Sequence, residues 1–233
     1  MSFYSSRISL HQQFSSTHPM RMLYGFEHHN YAYLLTVQPD SLHNDTALLE
    51  TRLARICTND HYFNSYMEIP LVCRVGDSGT GTTTTIHREA LAAALSHDAT
   101  EHFGKRLLYG EPAQGSAAAS LYVSFKNDGG KTLQPESSPL CRFDMAAIEE
   151  AFRSTAVRCN TNGDDVELLA TLHGTGAGSL NMCTRVERYN DSDISCGSVL
   201  DNGFILGRTP PPSTHIFTLI NGNICCFTLI TSF

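Results

Sequence analysis

Tryptophan is missing from this 233-residue chain, and charged residues make up only 17% of it. The 16 Lys and Arg residues form no basic stripe, and the formal net charge is -7. Without a cationic track to follow a phosphate backbone, nucleic-acid binding is set aside. No apolar run approaches the roughly 18 residues of a membrane-spanning helix. The first 22 residues, MSFYSSRISLHQQFSSTHPMRM, lack the apolar stretch of a secretory leader. No two cysteines have the C-x-x-C spacing, which removes a zinc ribbon and a thioredoxin-like site.

What is present points to strands. Hydrophobic residues reach 41%, enough for a packed core, and 9 Tyr and 12 Phe favour extended segments together with the β-branched residues. Of the 8 cysteines, Cys225 and Cys226 are adjacent in the tail. Cys57, Cys73, Cys141, Cys159, Cys183 and Cys196 form an even set inside strand-like segments. Six cysteines allow about 15 pairings, and spacing alone does not choose among them. Two N-glycosylation sequons, at Asn44 and Asn190, lie in polar, turn-like surroundings. Cysteines and sequons together suggest an oxidising, extracellular setting. Set against the missing leader, they lead to the expectation that this chain is a piece of a longer protein.

Along the chain, residues 1–21 read as irregular. Tyr31 to Val37 alternates with apolar residues on both faces, the pattern of a buried strand. Glu50 to Cys57 reads as a second strand, with Ala54 and Ile56 inward and Arg52 and Arg55 at the margins. Tyr66 to Cys73 is a third, and Pro70 places it at the outside of a sheet because proline donates no ladder hydrogen bond. Gly76 to Thr85 is a loop. His87 to Ser96 is rich in Ala and Leu, with Leu91, Ala94 and Leu95 at helical spacing, and reads as a short helix. Strands resume near Arg106 to Tyr109, Ser120 to Phe125 and Pro139 to Phe143. Asp144 then stands as N-cap of a helix to Arg153, with Met145, Ile148, Ala151 and Phe152 as its apolar face. In the tail, Ile216 to Ile220 and Ile224 to Ile230 flank Asn221-Gly222, a hairpin signal. Strand clusters at regular spacing fit a sandwich or a propeller.

No catalytic constellation emerges. Gly76-Asp77-Ser78-Gly79 is similar to the nucleophile loop of trypsin-like proteases, but only 77 residues precede Ser78 and no Ala-Ala-His-Cys segment is among them. A hydrolase using Ser78 serves only as a contrast. Gly174, Gly176 and Gly178 have G-x-G-x-G spacing, not the G-x-G-x-x-G of a dinucleotide loop, and no helix follows. His28-His29, or His97 and His102 with Asp98 and Glu101, do not make up a zinc site of four spaced ligands; a solvated surface is the better reading. Asp164-Asp165 and Glu149-Glu150 are neighbours, which on a helix do not face each other. The reading is a non-enzyme with no catalytic residue, no metal, no cofactor and no small-molecule substrate.

The segments YAYLLTVQ (31–38), TRLARICTND (51–60) and SYMEIPLVC (65–73) resemble the sema domain of plexins in order and spacing. The likeness continues at LAAAL (91–95), placed in the family's short helix, at SSPLCRFDMAAIEEAF (137–152) and at NMCTRVERYNDSDISCG (181–197). It covers residues 22–208, between an irregular segment, 1–21, and an apolar tail, 209–233, that has no counterpart and reads as a gene-model artefact. The hepatocyte growth factor receptor group shares the three strands. Its proprotein-cleavage insert has no dibasic equivalent at Arg74 to Gly79, and Thr184 to Gly197 is more similar to plexins.

The resemblance implies an all-β fold: a partial β-propeller of about four blades with two short inserted helices. It implies the disulfides Cys73–Cys141, Cys57–Cys183 and Cys159–Cys196. It further implies the extracellular part of a plasma-membrane receptor, taking a semaphorin-type protein ligand, with a receptor homodimer or a co-receptor as further partner. The alternative is the sema domain of a growth-factor receptor tyrosine kinase, or a secreted sema-domain protein.

Overall fold

The structure, a computed structural model, describes residues 8–10, 19–40, 48–60, 65–76, 84–97, 119–127, 137–162, 171–173, 205–206, 210–220 and 223–227. The chain divides into two compact units, residues 1–71 with 150–210 and residues 72–149 with 211–233.

The first unit is organised by an antiparallel meander. Strands β2 (Arg21–His28), β3 (Tyr31–Pro39), β4 (Leu49–Cys57) and β5 (Met67–Leu71) pair in sequence order. The short β12 (Ile205–Leu206) adds in parallel to Met67 and Glu68 of β5. Pro70 points to an outer strand, but β12 adds beyond β5; its ladder covers Met67 and Glu68 and stops short of Pro70. A further pair, β1 (Ile8–Leu10) with β11 (Thr171–His173), belongs to the same unit. Residues 1–21, expected to be irregular, therefore contain a strand. His29, the first residue of the two-residue turn between β2 and β3, has φ 52°, in the left-handed region.

Both faces of this sheet are covered, as the apolar alternation of β3 anticipates. One face carries Tyr33, Leu35 and Val37 of β3, Leu53 and Arg55 of β4, and Met67, Ile69 and Leu71 of β5, all buried. The other carries a small apolar cluster of Ala54, Ile56 and Tyr66, with Ala32 and Leu34 against it. Beside that cluster lie Thr36, Gln38, Glu50, Arg52 and Glu68, buried as well. Arg52 and Arg55 are thus not marginal, as their charge suggests, but 6% and 5% exposed. Arg52 is held by an ion pair with Glu50. The Arg55 guanidinium lies over the Tyr31 ring at 4.2 Å and the Phe152 ring at 4.5 Å. Its Nη2 is 3.9 Å from Met67 Sδ. An unpaired buried charge is costly, and two aromatic faces offset that cost with roughly 2 kcal/mol or more when desolvated.

Phe152 comes from helix α1 (Met145–Asn162). Met145, Ile148, Phe152, Thr155 and Ala156 recur at helical spacing and are buried. The apolar spacing locates the start of this helix, which runs beyond the expected end at Arg153. Phe152 also meets Tyr33 edge to face, centroids 6.1 Å apart, and Tyr33 stacks on Phe26 at 4.9 Å.

The second unit holds a five-stranded sheet in the order β14-β13-β10-β9-β8. Its members are β8 (Ala90–His97), β9 (Ala119–Phe125), β10 (Ser137–Asp144), β13 (Thr214–Ile220) and β14 (Asn223–Phe227). Beside it is the hairpin of β6 (Cys73–Gly76) and β7 (Thr84–His87). The third strand expected over Tyr66 to Cys73 is therefore split between β5 and β6. The tail forms the hairpin anticipated around Asn221-Gly222, and β13 pairs with β10 from Ser137↔Ile220 to Arg142↔Thr214. The strand expected near Arg106 to Tyr109 lies outside the described residues.

The helix expected over His87 to Ser96 is instead the edge strand β8, so the described residues hold one helix where two were anticipated. Ala and Leu are good helix formers, but eight residues gain too little alone to hold a helix in water. Pairing with β9, from Ala90↔Phe125 to His97↔Ala119, satisfies the backbone at the segment's place in the fold. Exposure follows period two: Ala93 and Leu95 are half-buried, while Ala92, Ala94 and Ser96 are exposed.

Because Phe152 both fills the core over β3 and covers the Arg55 charge, Phe152→Ala is expected to destabilise the first unit by about 3–5 kcal/mol. Urea unfolding monitored by tyrosine fluorescence measures it; a loss below about 1 kcal/mol contradicts this packing account.

Candidate recognition module and its disulfide

The sequence-selected cysteines separate into described and undescribed ones. Cys73 opens β6 and Cys141 lies in β10; both are fully buried, their Cα atoms are 5.7 Å apart and their sulfurs are bonded. The bond ties the β6–β7 hairpin to the five-stranded sheet within the second unit. Cys57, the last residue of β4, is also disulfide-bonded. Its expected partner, Cys183, lies outside the described residues, as does Cys196. Cys159 falls in the last part of α1, where side chains are not described.

Neither sequon asparagine is described, but the base of the Asn44 loop is. Asp40 N donates to Leu48 O at 2.8 Å, and Leu48 N donates to Asp40 Oδ1 at 3.1 Å. These bonds join the residues on either side of 41–47 at the end of the β3–β4 ladder. A similar base closes the β4–β5 connection. Ser65 N and Oγ both donate to Asp60 Oδ2, at 2.7 and 2.8 Å, and Cys57 N donates to Ser65 Oγ at 2.9 Å.

Only some of the remaining candidates are described residues. Ser78, Gly174, Gly176, Gly178, Asp98, Glu101, His102, Asp164 and Asp165 all lie outside the described residues. His97 is exposed at the end of β8. His28 is buried and His29 exposed at the β2–β3 turn, their ring centroids 4.0 Å apart. Glu150, on α1, accepts from Arg153 Nε at 2.8 Å and Nη2 at 2.9 Å. That hydrogen-bonded guanidinium holds the Glu150 carboxyl below its usual range, the signature of a surface pair and not of a general acid.

Sequence reasoning missed the buried polar face of the first sheet. Glu68, 1% exposed, accepts from Gln38 Nε2 at 2.8 Å and from the Tyr66 hydroxyl. With the Arg52–Glu50 pair, it makes that face specific in register and not only apolar. The available signal is the pair of charges two residues apart, Glu50 and Arg52, within an otherwise strand-like segment.

The arrangement of sheets decides the comparison with known structures. No family model matches the sequence. Plexin A4, in a full extracellular region resolved over domains 1 to 8, is similar over 91% of this chain at 21% identity, with a TM-score of 0.61. The chain has a sema-like fold. It is an all-β, partial propeller-like arrangement. A second plexin A4 structure, covering domains 1 to 10, gives the same 21% identity, 91% coverage and TM-score of 0.61. Drosophila plexin A in complex with semaphorin 1b is similar at 14% identity over 87% of the chain, with a TM-score of 0.49; the match spans 37% of that protein. The chain spans 22% and 17% of the two plexin A4 chains it matches. Among the described residues, no helix is long and apolar enough to cross a membrane.

The bond between Cys73 and Cys141 closes a span of 68 residues. Loop entropy then assigns it about 4 kcal/mol. Cys141→Ala is expected to lower the unfolding free energy of the second unit by an amount of that order, whereas the first unit keeps its midpoint. Non-reducing peptide mapping provides the companion test, and free thiols at both positions in oxidised material contradict the link.

Proposed function

We propose that residues 22–208 are part of the extracellular ligand-binding sema domain of a plexin-like cell-surface receptor, acting by protein–protein recognition without catalysis. The observation that carries this reading is the sema-like arrangement of strands over 91% of the chain. The residues that resemble plexins make up the central strands β3, β4, β5 and β10. The partner is a semaphorin-type protein ligand, with a receptor homodimer or a co-receptor as further partner.

The chemistry of the chain supports the same reading. A disulfide inside a core of ordinary apolar packing belongs to an oxidising compartment. Sheets whose loops are pinned at the base, as at Asp40 and Leu48, make a rigid recognition surface that loses little entropy on binding. The two proposed glycans, at Asn44 and Asn190, would restrict docking to the faces they leave bare. In the full receptor, ligand capture on this surface is the input, and signalling belongs to other parts of the protein.

The test is direct binding. The oxidised chain, immobilised and checked for cooperative unfolding, is expected to capture at least one semaphorin ectodomain from a representative panel with a Kd in the micromolar range or tighter. A folded, oxidised chain that binds none of the panel, while a complete plexin ectodomain binds under the same conditions, overturns the proposal for this segment.

A further inference from the structure

One strand of the second sheet arrives from a remote part of the chain. β8, β9 and β10 follow one another, whereas β13 lies beside β10 with residues 145–213 between them. Residues 150–210 of that stretch belong to the first unit, and the chain re-enters the second at Pro211. The β13–β14 hairpin is therefore an arm. What holds it in its unit is backbone pairing along β10, not a short turn from β10 itself.

The body that receives the arm is held by contacts of its own. β9 pairs with β8 on one side and β10 on the other, and the Cys73–Cys141 bond fixes β6 to β10. Lifting the arm opens one ladder of β10 and breaks none of these. The root of the arm is stiff. Pro210, Pro211 and Pro212 each hold φ at about −65°, and a residue before proline is kept out of the helical region. Successive prolines favour an extended strut of about 3.1 Å per residue. After it, Arg74 N donates to Ser213 Oγ at 3.5 Å, a long bond that holds the root lightly. A flexible connector keeps a detached arm close to its own β10, and a strut gives it less of that advantage in effective concentration.

The ladder also selects what can fill it. Leu140 pairs with Phe217 but Cys141 pairs with His215, so Ile216 is an extra residue of β13 and forms a bulge. An extended segment without that extra residue keeps step with β10 on one side of the bulge only. The same arm from a second copy of the chain carries the bulge at the same place. It reproduces the whole register, from Ser137↔Ile220 to Arg142↔Thr214.

We propose that the β13–β14 arm is exchangeable, and that two copies of this chain form a dimer in which each arm completes the β10 ladder of the other. Every backbone pair broken in one copy re-forms between copies, so concentration sets the balance of monomer and dimer. The Cys73–Cys141 bond preserves the receiving body while its ladder is open. The inference rests on register and connectivity, and it holds whether or not the chain binds a semaphorin.

Native mass spectrometry of the full oxidised chain tests it. The chain is unfolded in urea with its disulfides intact and refolded at concentrations on the order of 1 to 100 µM. Monomer and dimer are expected, with the dimer share rising with concentration; a chain that stays monomeric throughout overturns the proposal. Cross-linking then identifies the dimer. Light and isotope-labelled chains, each with photoreactive benzoylphenylalanine in place of Ser138, the residue opposite Leu219, are mixed before refolding. In the dimer, cross-links from position 138 to residues 214–220 are expected to join light to heavy chains. A dimer whose arm cross-links never mix isotopes overturns the exchange. Should the substituted chain fail to fold, the unaltered one decides. Light and heavy dimers mixed after refolding are expected to trade subunits no faster than the β10–β13 ladder opens in amide hydrogen exchange. Faster subunit trading shows a dimer built on another face and overturns the proposal.

Discussion

The first unit is arranged around a positive charge that has no carboxylate among the described residues. Arg55 lies in the interior of β4 with its guanidinium between Tyr31 and Phe152. This fixes more than one side chain. Arg55 must stand opposite Tyr33 on one side and Met67 on the other for its charge to face the rings. A slip of one residue in either ladder turns every side chain of the moved strand to the other face. A slip of β4 would place the cation beside Ala32, Leu34 and Tyr66, and bring Ala54 to where Phe152 now packs. The same contact fixes the helix, because Phe152 is both a core residue and one wall of the cation's cage. Register, helix position and charge burial are therefore one constraint.

The opposite face of that sheet reaches specificity by another route. There the buried polar groups pair with each other: Arg52 with Glu50, and Glu68 with Gln38 and Tyr66. Apolar packing alone tolerates many similar registers, whereas these pairs reward one. In the second unit the corresponding role belongs to a covalent bond. Phe125, Val123, Leu121 and Phe143 supply a conventional apolar layer, and the Cys73–Cys141 link determines which hairpin lies against it. One unit is specified by charge and the other by a cross-link, although each is built on a sheet of five strands.

Much of this was legible in the sequence where periodicity had a single meaning. The alternation of β3 and the 3.6-residue recurrence of Met145, Ile148 and Phe152 each allow one assignment, and the structure has those elements. Segment 90–97 was not legible because alanine is ambiguous. Its helix propensity is real, but it also fits an edge strand, and a ladder with β9 outweighs a preference worth under 1 kcal/mol per residue. The burial of Arg52 and Arg55 was hidden for a related reason: charged residues read as surface unless their partners are known, and the partners here come from other strands and from α1. For the candidate site, spacing leaves the cysteine pairings open. What brings Cys73 to Cys141 is the tertiary placement of β6 against β10, a contact between segments 68 residues apart.

The place of β13 in its sheet has a consequence for how the molecule is made. β8, β9 and β10 are close in the chain and pair as a local meander, but β10 finds its other neighbour only when Thr214–Ile220 becomes available. Cys73 and Cys141 both precede that segment, so oxidation can lock β6 to β10 while one edge of β10 still has open backbone donors and acceptors. In the interval before residues 214–220 pair with it, that edge of the β10 ladder is incomplete. During that interval β10 offers a template to any extended segment nearby, and a holding chaperone that shields residues 137–144 would have its greatest effect there.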